Sequence, residues 1–372
     1  MPLLRRSPAS KRRGEVEVTA VMAFWQWWTA EGADAVERCV ASRDFGPVVE
    51  PLGRAVAAVH PGLEWELGVG ATSAHRLVVT AAGDPALRAA ARRWRRGAPA
   101  AGPTWEYADS RQPVAVPGVL ELDGAAVDPG QVEVVVLADE TWAELDLVVG
   151  GPALAGLPPR TALRAAFLLL DQVLGEEAVE TWVGAIEADV SLDVGSSAGS
   201  SAPAVSAGRA ASSARGGVVP LTCLPAVVVD FAARFRRDGR PVWRVVEGRS
   251  RDGSRLLSTA RLPLRPMTAP HLDAHVRVEV PYGDRTDEGL PAPRALVRLQ
   301  AQEDHLVGRL GGSGLFVGSE TAAGLRALHL YVDSTTPAAE QVRAGVGGWP
   351  QGRVRVSVAT DPGWEHVQHL RV

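Results

Sequence analysis

His271, Asp273 and His275 alternate in sequence, and a strand over Leu272–Val280 would place all three on one face. Imidazole and carboxylate ligands at that period could hold a divalent metal. The plainer reading is a solvated strand face, with Leu272, Ala274 and Val276 turned toward a core. His366 and His369, much later in the chain, could add ligands only if the fold carries them there.

Other candidate motifs dissolve on inspection. Gly195-Ser196-Ser197-Ala198-Gly199 spells the G-x-S-x-G of a nucleophile elbow, which needs a strained strand-to-helix turn. Here it lies inside a run of Gly, Ser and Ala, where such spelling arises from composition. Gly311-Gly312-Ser313-Gly314 follows a helical pattern and opens a strand, the reverse of a phosphate-cradling loop. It reads as a helix end. Glu303, Asp304 and His305 are adjacent on a helix and fan around it instead of converging. Glu176, Glu177 and Glu180 read as a solvated helix start. Cys39 and Cys223 are the only cysteines, too widely spaced for a disulfide framework or a structural zinc site.

The chain has 372 residues, 46% of them hydrophobic and 22% charged, which fits a globular protein of two domains. A net charge of -4 supplies no global field for nucleic acid. Lys11 is the only lysine, Ile186 the only isoleucine, and asparagine is absent. That bias matches a high-GC bacterial genome, so the arginines and the 11 tryptophans are discounted as functional signals. Trp25, Trp27 and Trp28 have no basic residue between them and Arg38, unlike a stacking platform for single strands. Arg92, Arg93, Arg95 and Arg96 bracket Trp94 at a helix end, where positive charge is favourable.

Elements follow from spacing and punctuation. The basic, then apolar, opening resembles a secretory signal, but Glu15, Glu17 and the tryptophans argue against one. Residues 1–21 are expected to be a disordered extension, with Met22 opening the first ordered element. No run reaches the length of a membrane span. Gly195 to Gly217 reads as a flexible Gly/Ser/Ala linker, which separates an N-terminal domain (22–192) from a C-terminal one (218–372), with 193–217 between them. Asp34–Val59 is expected to be a helix ended by His60-Pro61-Gly62. Strands are expected at 63–69, 75–81, 132–137 and 145–149, with a helix at 160–174. The C-terminal part reads β-α-β-β-α-β, over 272–280, 293–310, 314–319, 325–332, 337–344 and 354–358. That is the ferredoxin-like arrangement, two helices on one face of a four-stranded antiparallel sheet, within an α+β class. The N-terminal domain reads as a related α+β sandwich.

Several short motifs recur in a known order. They are Val280-Pro281-Tyr282, Asp287-Glu288-Gly289-Leu290-Pro291, Glu303-Asp304 within Leu299 to Leu310, and Val317-Gly318-Ser319-Glu320-Thr321. Gly324-Leu325-Arg326, His329-Leu330-Tyr331-Val332-Asp333 and Asp361-Pro362-Gly363-Trp364 complete the set. In these residues the C-terminal half resembles the bacterial domain-of-unknown-function 695 family. The N-terminal half, through Phe24 to Trp28, His60 to Glu66 and Leu168 to Glu176, resembles uncharacterised bacterial proteins. The resemblance carries no reaction. Relatives fused to domains similar to the ribonuclease E inhibitor family imply a regulatory or inhibitory binding role.

The sequence therefore reads as a cytoplasmic, non-enzymatic protein-binding module, with no catalytic residue, cofactor or metal ligand assigned. The first alternative is a metal-dependent hydrolase or nuclease using His271, Asp273 and His275. The second is an RNA-binding regulator using the helix of Arg92 to Arg96.

Overall fold

A computed structural model of the chain describes residues 8–189, 217–249 and 253–371. The linker expected over 193–217 lies outside them, apart from Gly217. The described chain is α+β and divides into two compact units. They do not follow the split expected at the linker. One unit comprises residues 1–110, 245–260 and 268–372; the other comprises 111–244 and 261–267. The reason is strand pairing: residues 217–220, just past the linker, return to a sheet formed before it.

The first unit begins with helix α1 (Pro8–Trp27), a π-helical turn at Trp28–Gly32, α2 (Ala33–Ser42) and α3 (Gly46–Val59). Where a disordered extension over 1–21 was expected, the chain is helical from Pro8. Val21 is buried in the core and Glu17 pairs with Arg93, so this stretch is anchored by packing and charge. The single helix expected over 34–59 is two helices, because Arg43 turns left-handed (φ 57°) and ends the first. Strands β1 (Glu64–Val69) and β2 (His75–Thr80) pair antiparallel. Helix α4 (Arg88–Arg96) then leads to β3 (Trp105–Ala108), which lies parallel to β2.

The core of this half is aromatic. Phe24, Trp25, Trp28, Trp94, Trp105 and Tyr107 pack together, with Trp25 and Trp94 rings 4.7 Å apart. Buried indole N–H groups need acceptors. Trp25 Nε1 donates to the Trp94 carbonyl (2.8 Å) and Trp28 Nε1 to the Tyr107 hydroxyl (2.9 Å).

The second unit holds the β4 (Leu120–Leu122) and β5 (Ala125–Val127) hairpin. A four-stranded sheet follows, with β6 (Glu133–Asp139) and β7 (Glu144–Gly150) at its centre. Helices α5 (Pro159–Leu174) and α6 (Glu176–Trp182) precede β8 (Val183–Asp189), which joins β7 in parallel. Beyond the undescribed stretch, β9 (Gly217–Pro220) pairs with β6. Helix α7 (Leu224–Ala233) and strand β10 (Arg236–Arg237) follow. Strands β11 (Arg240–Arg249) and β12 (Arg255–Leu262) carry the chain from one unit to the other.

The rest of the first unit is β13 (Ala274–Pro281), α8 (Pro293–Leu310), β14 (Gly314–Ala322), β15 (Leu325–Val332), α9 (Ala338–Gly345) and β16 (Arg355–Thr360). Its strands stand in the order β12-β14-β15-β13-β16, with antiparallel pairing throughout. Alternation sorts the two faces. Val276, Val278, Val280, Leu328, Leu330 and Val332 share a core with residues of α8 and α9. His275 and Arg277 on β13, and His329 and Tyr331 on β15, therefore point the other way.

A buried guanidinium anchors the start of β13. Arg93 of α4 donates to Asp333 (2.8 Å) through Nη2 and to Glu17 (3.0 Å) through Nη1, and its Nη2 forms an ion pair with Asp273 (2.9 Å). Burial works against its charge, but the three carboxylates outweigh it and raise its pKa. Arg93→Met strands three carboxylates, and breaking a buried pair costs about 3–5 kcal/mol. The urea midpoint of the first unit, followed by circular dichroism, should fall accordingly.

Glu106 on β3 offers a pH readout. Its carboxylate accepts from the backbone N–H groups of Ala71 (2.8 Å), Thr72 (2.9 Å) and Ser73 (3.2 Å), and from Arg76 (2.6 Å). Burial opposes the charge, yet these donors bring its pKa down to about 2 from 4.5. A carboxyl depressed on folding stabilises above its unfolded pKa and loses that contribution as pH falls through the folded one. Thermal melts should therefore weaken between pH 4.5 and 2, and Glu106→Gln should flatten that limb of the profile.

Candidate metal centre

The face of the sheet opposite α8 and α9 is covered by a 3₁₀ helix at Glu365–Arg371. Residues three apart eclipse in a 3₁₀ helix, so His366 and His369 share one side of it. The sheet beneath presents His275, His329 and Tyr331, plus Glu320 from β14. Half of the eight histidines in the chain thus gather at one place.

Asp361 seats that helix. Its carboxylate accepts the backbone N–H groups of Glu365 (2.9 Å) and His366 (3.0 Å), which are free donors of a first turn. The same group accepts the Tyr331 hydroxyl and pairs with His366 Nδ1 (2.9 Å). Trp364 stacks on Tyr331 with rings 4.4 Å apart, and its indole N–H donates to the Leu272 carbonyl (3.1 Å). Gly318 makes the close approach feasible. A Cβ there would stand 2.8 Å from Leu370 Cδ1 and 2.4 Å from the Thr259 carbonyl oxygen.

Three ligand atoms converge. Glu320 Oε2 lies 3.2 Å from His329 Nε2 and 3.2 Å from His369 Nε2. One ligand atom from each of the three residues lies within 4.8 Å of the others. Behind them, His275 Nε2 stands 3.0 Å from His329 Nδ1. The His275 ring is also stacked near His329 and His366, each 5.2 Å away.

The electrostatics suit a cation. Hydrogen bonds from His329 and His369, against the cost of burial, hold the Glu320 carboxyl well below the usual range. Burial lowers His329 despite the neighbouring Glu320. Burial, then the adjacent His329 and His366 rings, push His275 down to about 3. At neutral pH the cluster therefore holds uncharged buried imidazoles and a charged carboxylate, the protonation state in which such groups bind metal. Two imidazoles and one carboxylate, with further coordination positions free, is a ligand set of catalytic zinc and non-haem iron sites.

The expected His271, Asp273 and His275 face does not form. Strand β13 begins only at Ala274; His271 lies in a turn and Asp273 just before the strand. The Asp273 carbonyl accepts the Asp361 N–H (2.8 Å), which continues the β13–β16 register by one pair. His271 meets Arg96 (3.1 Å), Asp273 meets Arg93, and His275 alone joins the cluster. His366 and His369 do arrive, carried by the 3₁₀ helix. Glu320, His329, Tyr331 and Asp361 were not anticipated. A signal existed: Ala323-Gly324 between two strand patterns implies a hairpin, and its register puts Glu320 diagonal to His329 on one face. Among the five arginines of α4, Arg92 pairs with Asp109 and Arg93 with three carboxylates.

Residues 243–370 match the model of a Family of unknown function (DUF695), the family its motifs resemble. No curated protein and no solved structure matches the chain. Every residue of the histidine cluster lies within the matched segment.

Tyr331→Phe removes a charge-assisted hydrogen bond worth about 1.5–3 kcal/mol. Amide exchange at Glu365 and His366 should accelerate while exchange in α8 stays unchanged, which hydrogen–deuterium exchange would resolve.

Proposed function

We propose that the chain is a divalent-metal-dependent hydrolase whose metal is held by Glu320, His329 and His369. The observation that carries this reading is the convergence of those three ligand atoms within 4.8 Å of one another. With three protein ligands, a bound ion keeps room for water and lowers its pKa toward neutrality. His366, paired to Asp361 through Nδ1 and half exposed, stands beside the cluster as a proton acceptor. The non-enzymatic binding role expected from sequence rested on finding no converging groups, and this cluster is such a group. For the RNA-binding alternative, Arg92 and Arg93 are paired internally, which takes two of the five α4 arginines away from phosphate.

We also read β13 to β16 with α8 and α9 as a ferredoxin-like module. The β14-β15-β13-β16 order, antiparallel pairing and a core shared with both helices support that reading.

Metal analysis of purified protein, followed by zinc and manganese titration, tests the proposal. Binding near one equivalent is expected, with loss of at least about tenfold in affinity for Glu320→Gln or His369→Ala. Metal-dependent cleavage of an activated phosphodiester or carboxylic ester would complete the case. A bound metal without turnover on either substrate would return the chain to a binding module with a structural ion, and no metal binding would overturn the centre itself.

A further inference from the structure

We infer that His275 is a positioning residue of this centre, fixing the His329 ring and accepting its Nδ1 hydrogen bond when an ion occupies Nε2. The inference rests on the metal-centre reading above and assigns a role to a side chain outside the ligand set.

His275 is a polar side chain only 4% exposed, on a strand whose alternate positions are Val276, Val278 and Val280. A buried imidazole needs hydrogen-bonding partners. The contact it makes is to His329, at 3.0 Å from Nε2 to Nδ1. Its plane is walled in. His329 lies 5.2 Å away at 14°, His366 5.2 Å at 21°, and Tyr331 5.2 Å at 38°. A ring so confined holds its nitrogen in one place, so it can hold the orientation of a second ring.

Proton bookkeeping then fixes which nitrogen donates in each state. The Glu320 carboxylate can only accept, and it faces His329 Nε2 at 3.2 Å. Without a metal, His329 carries its hydrogen on Nε2, so its Nδ1 accepts from His275 Nε2–H. An ion requires the Nε2 lone pair. The Nε2 proton leaves to solvent, the His275 Nε2 proton passes to His329 Nδ1, and His275 takes one proton from solvent at its own Nδ1. Each ring ends with one hydrogen, and no net charge is left on the pair. His329 Nδ1 now donates to His275 Nε2. Such an outer partner fixes the tautomer and direction of a ligating histidine.

Cobalt(II) titration of the full chain, read by absorbance against a competing chelator, tests the role. His275→Phe preserves an aromatic ring and removes the acceptor; it should weaken binding about 10–100-fold. His275→Gln offers an amide oxygen to the same N–H and should recover most of the affinity. Nitrogen-15 NMR of the wild type adds a readout that packing alone would not move. His329 should be protonated on Nε2 without metal and on Nδ1 with zinc. Wild-type binding with unchanged affinity in His275→Phe, or a His329 tautomer that does not switch, overturns the role of His275 and leaves the metal centre standing. Failure of the wild type to bind cobalt or zinc overturns the centre, and this role with it.

Discussion

The Asp361 carboxylate is the constraint on which the candidate centre depends. It takes the Tyr331 hydroxyl from the sheet and two backbone N–H groups from the 3₁₀ helix, so one group joins two surfaces. Burial opposes its charge, and those donors keep its pKa low. Each partner of Asp361 is in turn tied elsewhere. Tyr331 stacks under Trp364, and Trp364 donates to Leu272, just ahead of β13. This clamp acts beside the burial of Trp364, Val367 and Leu370 in setting His366 and His369 against His329 and Glu320.

Much of the fold was legible as periodicity. The β-α-β-β-α-β order after residue 270 follows from alternating Val and Leu in the strands and helical spacing in α8 and α9. Element ends were harder. The His271, Asp273 and His275 pattern looked like one strand face because alternation alone ignores side-chain partners on a distant helix. Arg93 takes the Asp273 carboxylate and Arg96 the His271 ring, and the strand starts at Ala274, two residues after the expected Leu272. The histidine cluster was legible only in fragments, since its members come from three strands and a 3₁₀ helix. Sequence offered a hairpin register for Glu320 and His329 and an i, i+3 pair for His366 and His369, but nothing that superposes the two.

The tryptophans and arginines that composition attributed to codon bias have defined physical work in the N-terminal part. Trp25, Trp28 and Trp94 fill a core in which two of the three indoles hydrogen-bond identified acceptors. Arg93 reaches carboxylates on α1, ahead of β13 and after β15, so the helical opening and the later sheet form one compact unit. That contact explains why a Gly/Ser/Ala stretch, a natural boundary by composition, does not mark the boundary in space.

Chain order gives the 3₁₀ cover a further meaning. Glu320, His329 and His275 all precede Asp361 and His369, so a chain emerging from the ribosome can complete its sheet before any complete ligand set exists. Until the segment beyond Thr360 arrives, the face carrying His275 and His329 lacks its cover, and a metal ion finds two of the three ligands. Under the proposed metal-centre reading, closing the cover and completing the ligand set of Glu320, His329 and His369 would be one event.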